Sequence, residues 1–129
     1  MRKILGLAIL CILLASCKSN TVNHSDSTSN IQELEEMIGQ MIMLGFRGMN
    51  RAEVSEIVKD HIREKRVGSI VLFDYDVVNK EPVRNIESPD QLKTLIEDIQ
   101  SLSDDKLLVA IDQEGGRVNR LKTKYGFPA

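Results

Sequence analysis

The sequence predicts an α/β fold built on a parallel sheet. Three apolar runs, at residues 42–44, 68–73 and 107–111, predict strands, and patterns of helical spacing lie before and between them. The run at 107–111 has no polar break, which is typical of a strand buried on both faces of a parallel sheet covered by helices. Alternating helices and strands imply right-handed crossovers that connect neighbouring parallel strands.

The first helix and strand are predicted from a start signal and a stop signal. Asn30, followed three residues later by Glu33, fits a capping box and predicts that the helix begins there. Apolar residues follow at helical spacing: Leu34, Met37, Ile38 and Met41. Gly45 ends the strand that comes next.

Two further helices are predicted before the second and third strands. The first of them has an apolar face of Val54, Ile57, Val58 and Ile62. His61 lies beside that face and is interpreted as a structural histidine, because it has no acid–base partner in the sequence pattern. The other helix opens with Ser88 at the N-cap and Pro89 at its first position. Its core face is predicted to consist of Leu92, Leu95, Ile96 and Ile99.

The segment after the third predicted strand has the layout of a site for a polar ligand. Asp112 directly follows the strand, and the carboxyl ends of parallel strands form the rim where ligands bind. Gly115 and Gly116 allow a sharp turn and a close approach of the backbone to a substrate. Arg117 and Arg120 add cationic hydrogen-bond donors to the same segment.

This segment, DQEGGRVNR, resembles the signature of family 3 glycoside hydrolases, in the branch of bacterial β-N-acetylhexosaminidases. The stretches IGQMIMLGFRG and VGSIVLF extend the resemblance upstream, so that it covers residues 31–129. It implies a (β/α)8 barrel of the TIM type, which the strand and helix pattern alone does not distinguish from an open doubly wound sheet. Such barrels typically have about 250 residues. We therefore expect an N-terminal fragment with about three βα units of the barrel.

The resemblance also implies an activity and its site residues. It implies retaining exo-hydrolysis of terminal β-linked N-acetylglucosamine, with a carbohydrate as partner and with no metal or organic cofactor. Asp112 and Arg120 are implied to bind the sugar, whereas a turn cap and a surface arginine are the alternatives. The expected supporting residues are Glu114, Gly115, Gly116 and Arg117.

The catalytic groups of the family are expected outside these 129 residues. A retaining glycosidase needs a nucleophilic carboxylate and an acid/base group on opposite sides of the scissile bond. In this branch they are an Asp from a late barrel strand and a His from a loop of the second half of the barrel. Neither motif occurs in the chain, so we expect no catalytic residue and no activity in the chain by itself.

Two further acids follow the second predicted strand. Asp74 and Asp76 begin a loop, residues 74–87, that is longer than usual for a βα connection and is long enough to shape substrate entry. Acids in polar loops are common, so we interpret both as solvated turn residues.

The N-terminus predicts export and lipid anchoring. Residues 1–16 have a basic start and an apolar run that is too short to span a membrane, as in a signal peptide. Leu-Ala-Ser-Cys at 14–17 fits the lipobox of bacterial lipoproteins, which implies cleavage before Cys17 and lipidation of its thiol. Residues 17–30 are polar and predict a flexible tether that includes His24. The expected location is the bacterial cell envelope, and Lys18 favours the outer membrane.

Composition excludes several other classes of protein. The chain has 17 basic and 19 acidic residues, which are interspersed, so there is no basic stripe for nucleic acid. Cys11 lies in the signal peptide and Cys17 would carry lipid, which leaves no cysteine for a disulfide or a metal site. A nucleotide-binding fold is disfavoured because no G-x-G-x-x-G follows a strand. The remaining rivals are a β-glucosidase of the same family and a non-catalytic, lipid-anchored sugar-binding remnant.

Overall fold

The computed structural model describes residues 24–129, with side-chain surroundings from residue 28 onward. Residues 32–129 form one compact unit. The predicted signal peptide, Cys17 and the first part of the predicted tether lie outside the described residues. Within residues 24–129, no helix combines the length and the apolar character needed to cross a membrane.

Helices and strands alternate along the described chain, as the sequence predicts. The elements are α1 (His24–Gln40), β1 (Met43–Gly45), α2 (Glu56–Arg63), β2 (Ser69–Leu72), α3 (Pro89–Gln100), β3 (Leu108–Ile111) and a short 3-10 helix (Thr123–Tyr125). The predicted α/β class is confirmed.

The three strands form one parallel sheet in the order β1-β2-β3. Gly45 pairs with Val71 at the end of β1, and Leu72 pairs with Ile111 at the ends of β2 and β3. Strands that are neighbours in sequence are therefore neighbours in space, as successive strands of a barrel must be. The register brings the residues that follow the strands to one edge of the sheet.

The core lies around the central strand. Ile70 and Leu72 of β2 are almost fully buried, and so are Ile62 of α2 and the α3 residues Leu95 and Ile99. Burial of such side chains is worth about 1.5–3 kcal/mol each relative to an exposed state. Helix α3 begins as the sequence predicts, because the Ser88 hydroxyl accepts the backbone N–H of Gln91 at 3.2 Å. The core thus packs α2 and α3 around β2, whose carboxyl end borders the predicted site.

The predicted start of the first helix is wrong. Helix α1 begins at His24, so Asn30 lies inside the helix and residues 24–30 of the predicted tether are helical. Adding a turn to an existing helix is much easier than nucleating one, so a polar segment next to a formed helix can continue it.

The prediction that β3 is buried on both faces is also wrong for the described chain. Leu108 is 61% exposed and the rest of β3 is half-buried. Strand β3 is an edge strand in the described sheet, so it has a neighbouring strand on one side only. The predicted core face of α2 is likewise only partly buried, because Ile57 is exposed while Val54 and Ile62 are buried. The predicted apolar face of the first helix is also exposed: Leu34, Met37 and Ile38 in α1, and Met41 directly after it.

Candidate substrate site at the strand ends

Asp112 lies directly after the last residue of β3, at the carboxyl edge of the sheet. Its side chain is 43% exposed, and its one ion pair in the described chain is with Arg120, whose Nη2 is 3.5 Å from Oδ2. This distance is at the limit of a hydrogen bond. The Asp112 carboxylate therefore keeps most of its capacity to accept hydrogen bonds from a ligand.

The chain turns back immediately after Asp112. Backbone N–H groups of Glu114 and Gly115 donate to the carbonyl of Val118 at 2.9 and 3.0 Å. Gly115 has a φ of +84° and Gly116 a φ of +56°, conformations that L side chains rarely adopt. A Cβ at either position would meet no atom within 4 Å, so the turn requires glycine for its backbone conformation and not for space.

The side chain of Gln113 connects the glycine turn to residues 119–121, which follow it. Its side-chain oxygen accepts the backbone N–H groups of Arg120 at 2.8 Å and Leu121 at 3.2 Å, and its amide nitrogen donates to Asn119. No hydrogen bond from a turn N–H to Asp112 occurs among those found in residues 24–129, so Gln113 serves the capping role considered for Asp112. No role was predicted for Gln113 from the sequence.

Arg120 lies between carboxylates that follow two neighbouring strands. Its Nη1 donates to Asp74 Oδ1 at 3.1 Å, and its Nη2 faces Asp112. The guanidinium also lies 5.9 Å from the centre of the Phe73 ring. The side chain is 22% exposed, and its Nε is buried without a hydrogen-bond partner in the described chain. Arg120 is thus oriented by contacts at the strand ends.

Asp74 is not the solvated turn acid that the sequence analysis expected. Its side chain is 1% exposed and forms ion pairs with both Arg120 and Lys122. The physical reason is that the segment following the glycine turn brings two cations over the end of β2. Lys122 is a further residue of the site that was not predicted from the sequence. The available signal was the i, i+2 spacing of Arg120 and Lys122, which places both side chains on one side of an extended segment.

The interpretation of Asp76 as solvated is also wrong, since the residue is 2% exposed. Asp76 pairs with Arg47 and accepts the backbone N–H groups of Val78 at 3.1 Å and Asn79 at 3.2 Å. The hydrogen bond from Arg47 is the main reason why the pKa of the Asp76 carboxyl falls to about 2, and the backbone donors add to the effect. These contacts fold the start of the long loop back on itself, where the backbones of Asp76 and Glu81 form an antiparallel bridge.

Asn85 joins the loops that follow β1 and β2, a role the sequence analysis did not assign. It is fully buried, and its side-chain oxygen accepts the N–H of Phe73 at 3.1 Å. Its side-chain nitrogen donates to the carbonyls of Phe46 at 3.2 Å and Gly48 at 3.1 Å. This network holds the backbone next to Asp74.

Glu114 and Arg117 are exposed, and no side-chain hydrogen bond or ion pair of either is found in the described part of the chain. Glu114 takes part in the glycine turn through its backbone N–H. The supporting role expected for Arg117 therefore stays a prediction. His61 is half-buried, and its Nδ1 has no partner within residues 24–129. No cluster of metal-ligating side chains occurs among the described residues.

The arrangement presents a carboxylate acceptor next to a cationic donor pair on a rim of backbone turns. Asp112 can accept hydrogen bonds from hydroxyl groups, while Arg120 and Lys122 can donate hydrogen bonds to hydroxyl or carbonyl oxygens. Charge-assisted bonds of this kind are strong and orienting. Fold and site together define the class of protein: a parallel α/β unit with paired charged side chains at the carboxyl ends of its strands.

The chain belongs to glycosyl hydrolase family 3, because the family model described as "Glycosyl hydrolase family 3 N terminal domain" matches residues 33–129. Its three strands and their helices are therefore the N-terminal portion of the family's barrel, as the resemblance implied.

Several proteins are similar to this chain. A Beta-hexosaminidase from Alkalilimnicola ehrlichii is 36% identical over 84 residues, which are 65% of this chain and 21% of that protein. A Beta-hexosaminidase from Hydrogenovibrio crunogenus is 33% identical over 96 residues, which are 73% of this chain and 24% of that protein. A crystal structure of NagZ from Neisseria gonorrhoeae with N-trifluoroacetyl-D-glucosamine has a TM-score of 0.48 and 32% identity, over 61% of this chain and 20% of that chain. The chain thus spans about a fifth to a quarter of the length of these curated relatives.

Proposed function

We propose that the whole protein to which this segment belongs is a retaining exo-glycosidase that removes terminal β-linked N-acetylglucosamine from a glycan. Family membership supports hydrolysis of a glycosidic bond. The name Beta-hexosaminidase of relatives that are 33–36% identical supports this substrate class. The observation that carries the proposal is the pair formed by Asp112 and Arg120 at the strand ends.

In this proposal Asp112 and Arg120 bind the terminal sugar. The carboxylate of Asp112 is 43% exposed and accepts hydrogen bonds from two sugar hydroxyl groups. Arg120 donates a hydrogen bond to a neighbouring sugar oxygen. The glycine turn folds the backbone back directly after Asp112, because Gly115 and Gly116 adopt positive φ angles that other residues rarely take. Interactions of this kind place the anomeric carbon for attack and do not themselves break the bond.

The bond-breaking groups belong to the remainder of the catalytic domain. A carboxylate attacks the anomeric carbon while an acid donates a proton to the leaving oxygen, and water then hydrolyses the glycosyl intermediate with retention. We propose that this segment alone binds the sugar at most and has no hydrolytic activity. A second proposal, carried by the lipobox at residues 14–17, is that Cys17 anchors the protein to the cell envelope, at the outer membrane.

Two alternative functions use the same site. A β-glucosidase of the same family would bind glucose in place of N-acetylglucosamine, although the Gln-Glu-Gly-Gly-Arg run at 113–117 favours the hexosaminidase branch. A non-catalytic, lipid-anchored module would bind the sugar without turnover. Activity on a matched pair of substrates separates these three functions.

The test compares 4-nitrophenyl N-acetyl-β-D-glucosaminide with 4-nitrophenyl β-D-glucoside, using the whole encoded protein without its signal peptide. A chimera, in which residues 33–129 replace the matching part of the Hydrogenovibrio crunogenus Beta-hexosaminidase, is measured in parallel. The proposal expects both proteins to prefer the N-acetylglucosaminide.

Preference for the glucoside would overturn the substrate assignment and support the β-glucosidase. A second outcome is that the chimera is active, whereas the whole protein binds N-acetylglucosamine and hydrolyses neither substrate. That outcome would overturn the proposed hydrolysis and support the sugar-binding module. A folded but inactive chimera that binds no sugar would overturn the site itself.

A further inference from the structure

We propose that Asp74 is the positioning residue of this sugar site, where it holds the guanidinium of Arg120 and the ammonium of Lys122 at the rim without contacting the sugar. The proposal rests on the function proposed above, in which Arg120 binds the substrate. It assigns a role in the site to an acid at the end of β2, whereas the sugar-binding pair follows β3.

Burial separates the two carboxylates near Arg120 into different roles. The Asp74 side chain is 1% exposed, whereas that of Asp112 is 43% exposed. Arg120 Nη1 is 3.1 Å from Asp74, a good hydrogen bond, but Nη2 is 3.5 Å from Asp112. Asp74 therefore fixes the guanidinium, while Asp112 remains available to a ligand.

Charge gives a physical reason for this arrangement. A buried carboxylate is costly unless it is paired, and Asp74 is paired with two cations, Arg120 and Lys122. The three groups together carry a formal charge of +1, so the cations keep an unbalanced attraction for oxygen atoms at the rim. With Asp112 included the four groups are neutral, which limits the cost of burying them under a sugar.

Arg120 is held at both of its ends. Its backbone N–H donates to the side-chain oxygen of Gln113 at 2.8 Å, and its guanidinium donates to Asp74. The buried Nε between these anchors has no hydrogen-bond partner in the described chain. Because the pair with Asp74 covers a sequence distance of 46 residues, Asp74 also ties the segment after the glycine turn to the end of β2.

The test uses Asp74→Asn in the whole protein and in the chimera, with Asp76→Asn as the matched control. Asp76 is equally buried two residues away, but its charged partner is Arg47 and not Arg120. Loss of the charged partner is expected to lower kcat/KM by about ten- to a hundredfold for Asp74→Asn, mainly through a higher KM. Asp76→Asn is expected to change kcat/KM less than about threefold.

A double-mutant cycle with Arg120→Ala distinguishes positioning from general damage to the fold. If Asp74 acts through Arg120, then Asp74→Asn adds less than about threefold once Arg120 has been removed. A merely structural role would lower kcat/KM by the same factor in both backgrounds, and that result would overturn the proposal.

A readout without substrate separates failure of this inference from failure of the proposed function. The Nε–H of Arg120 is buried, so its NMR signal should exchange slowly with solvent, and its absence from Arg120→Lys identifies it. We expect this protection to be lost in Asp74→Asn and kept in Asp76→Asn. Retained protection in Asp74→Asn would overturn the inference at any level of activity. Lost protection in a protein that hydrolyses neither substrate would support the role of Asp74 and contradict the proposed function.

Discussion

Arg47 and Asp76 form an ion pair that joins the segment after β1 to the loop after β2, with Arg47 Nη2 and Asp76 Oδ1 3.1 Å apart. The Asp76 carboxylate also accepts hydrogen bonds from the backbone N–H groups of Val78 and Asn79. The same side chain therefore stabilises the turn that begins the loop and connects the loop to the segment after β1. The loop starts at Asp74, but neither Arg120 nor Lys122 is a partner of this pair, so the pair stabilises the loop and not the proposed sugar contacts.

The Asp76 carboxylate predicts a specific dependence of stability on pH. Its pKa is about 2 in the folded protein, below the ordinary value of about 3.9 in an unfolded chain. The folded state thus binds this proton less readily, so the contribution is fully present above about pH 4 and is lost as pH falls towards 2. The urea concentrations at the midpoint of unfolding of the whole wild-type protein and its Asp76→Asn variant should differ at pH 6 and converge between pH 4 and pH 2. A difference that stays constant down to pH 2 would contradict the lowered pKa of the Asp76 carboxyl in the folded protein.

The glycine turn predicts that backbone conformation, and not side-chain volume, limits substitution at Gly116. Its φ of +56° lies in the left-handed region, which costs most L residues roughly 1–2 kcal/mol but is tolerated better by Asn. Gly116→Val should therefore lower the melting temperature of the whole protein more than Gly116→Asn does. If the larger loss followed Asn, or if both variants were neutral, the turn would not adopt this conformation.

The local parts of the fold could be predicted from the sequence, and the long-range parts could not. The start of α3 was predicted because Ser88, Pro89 and Gln91 are adjacent, and the position of Asp112 followed from the apolar run before it. The burial of Asp74 could not be predicted, because a buried carboxylate requires cations and these come from residues 46 and 48 positions later. A solvated acid and a buried, paired acid have the same local sequence.

The exposed apolar surface of the described segment predicts association when residues 31–129 are produced alone. Strands β1 and β3 have free edges there, and Leu108 is 61% exposed. We expect aggregates or a molten state, detected by light scattering and dye binding, and no sharp thermal transition. Leu108→Lys should reduce the association, whereas Val77→Lys, a matched exposed site in the loop after β2, should not. A monomer that unfolds cooperatively would refute this prediction.

The lipobox predicts that Cys17 determines where the protein is found in the cell. The wild-type protein should partition with membranes, and Cys17→Ala should leave it soluble or uncleaved, because the lipidated residue is lost. Cys11→Ala is the matched control, since Cys11 lies in the apolar run and should be dispensable. Recovery of unaltered protein entirely in the soluble fraction would exclude lipid anchoring.

The central claim is that the carboxylate after β3 binds the sugar, and kcat/KM of Asp112→Ala on an aryl N-acetyl-β-D-glucosaminide tests it most directly. Two charge-assisted hydrogen bonds at about 1.5–3 kcal/mol each predict a loss of roughly two to four powers of ten. Arg120→Ala should cost less, and Asp104→Ala, which alters an exposed acid before β3, should cost nothing measurable. The melting temperature of each variant is measured beside the kinetics. A stable Asp112→Ala protein with a loss of this size is the predicted result, and one with near-normal kcat/KM would show that the sugar is bound elsewhere.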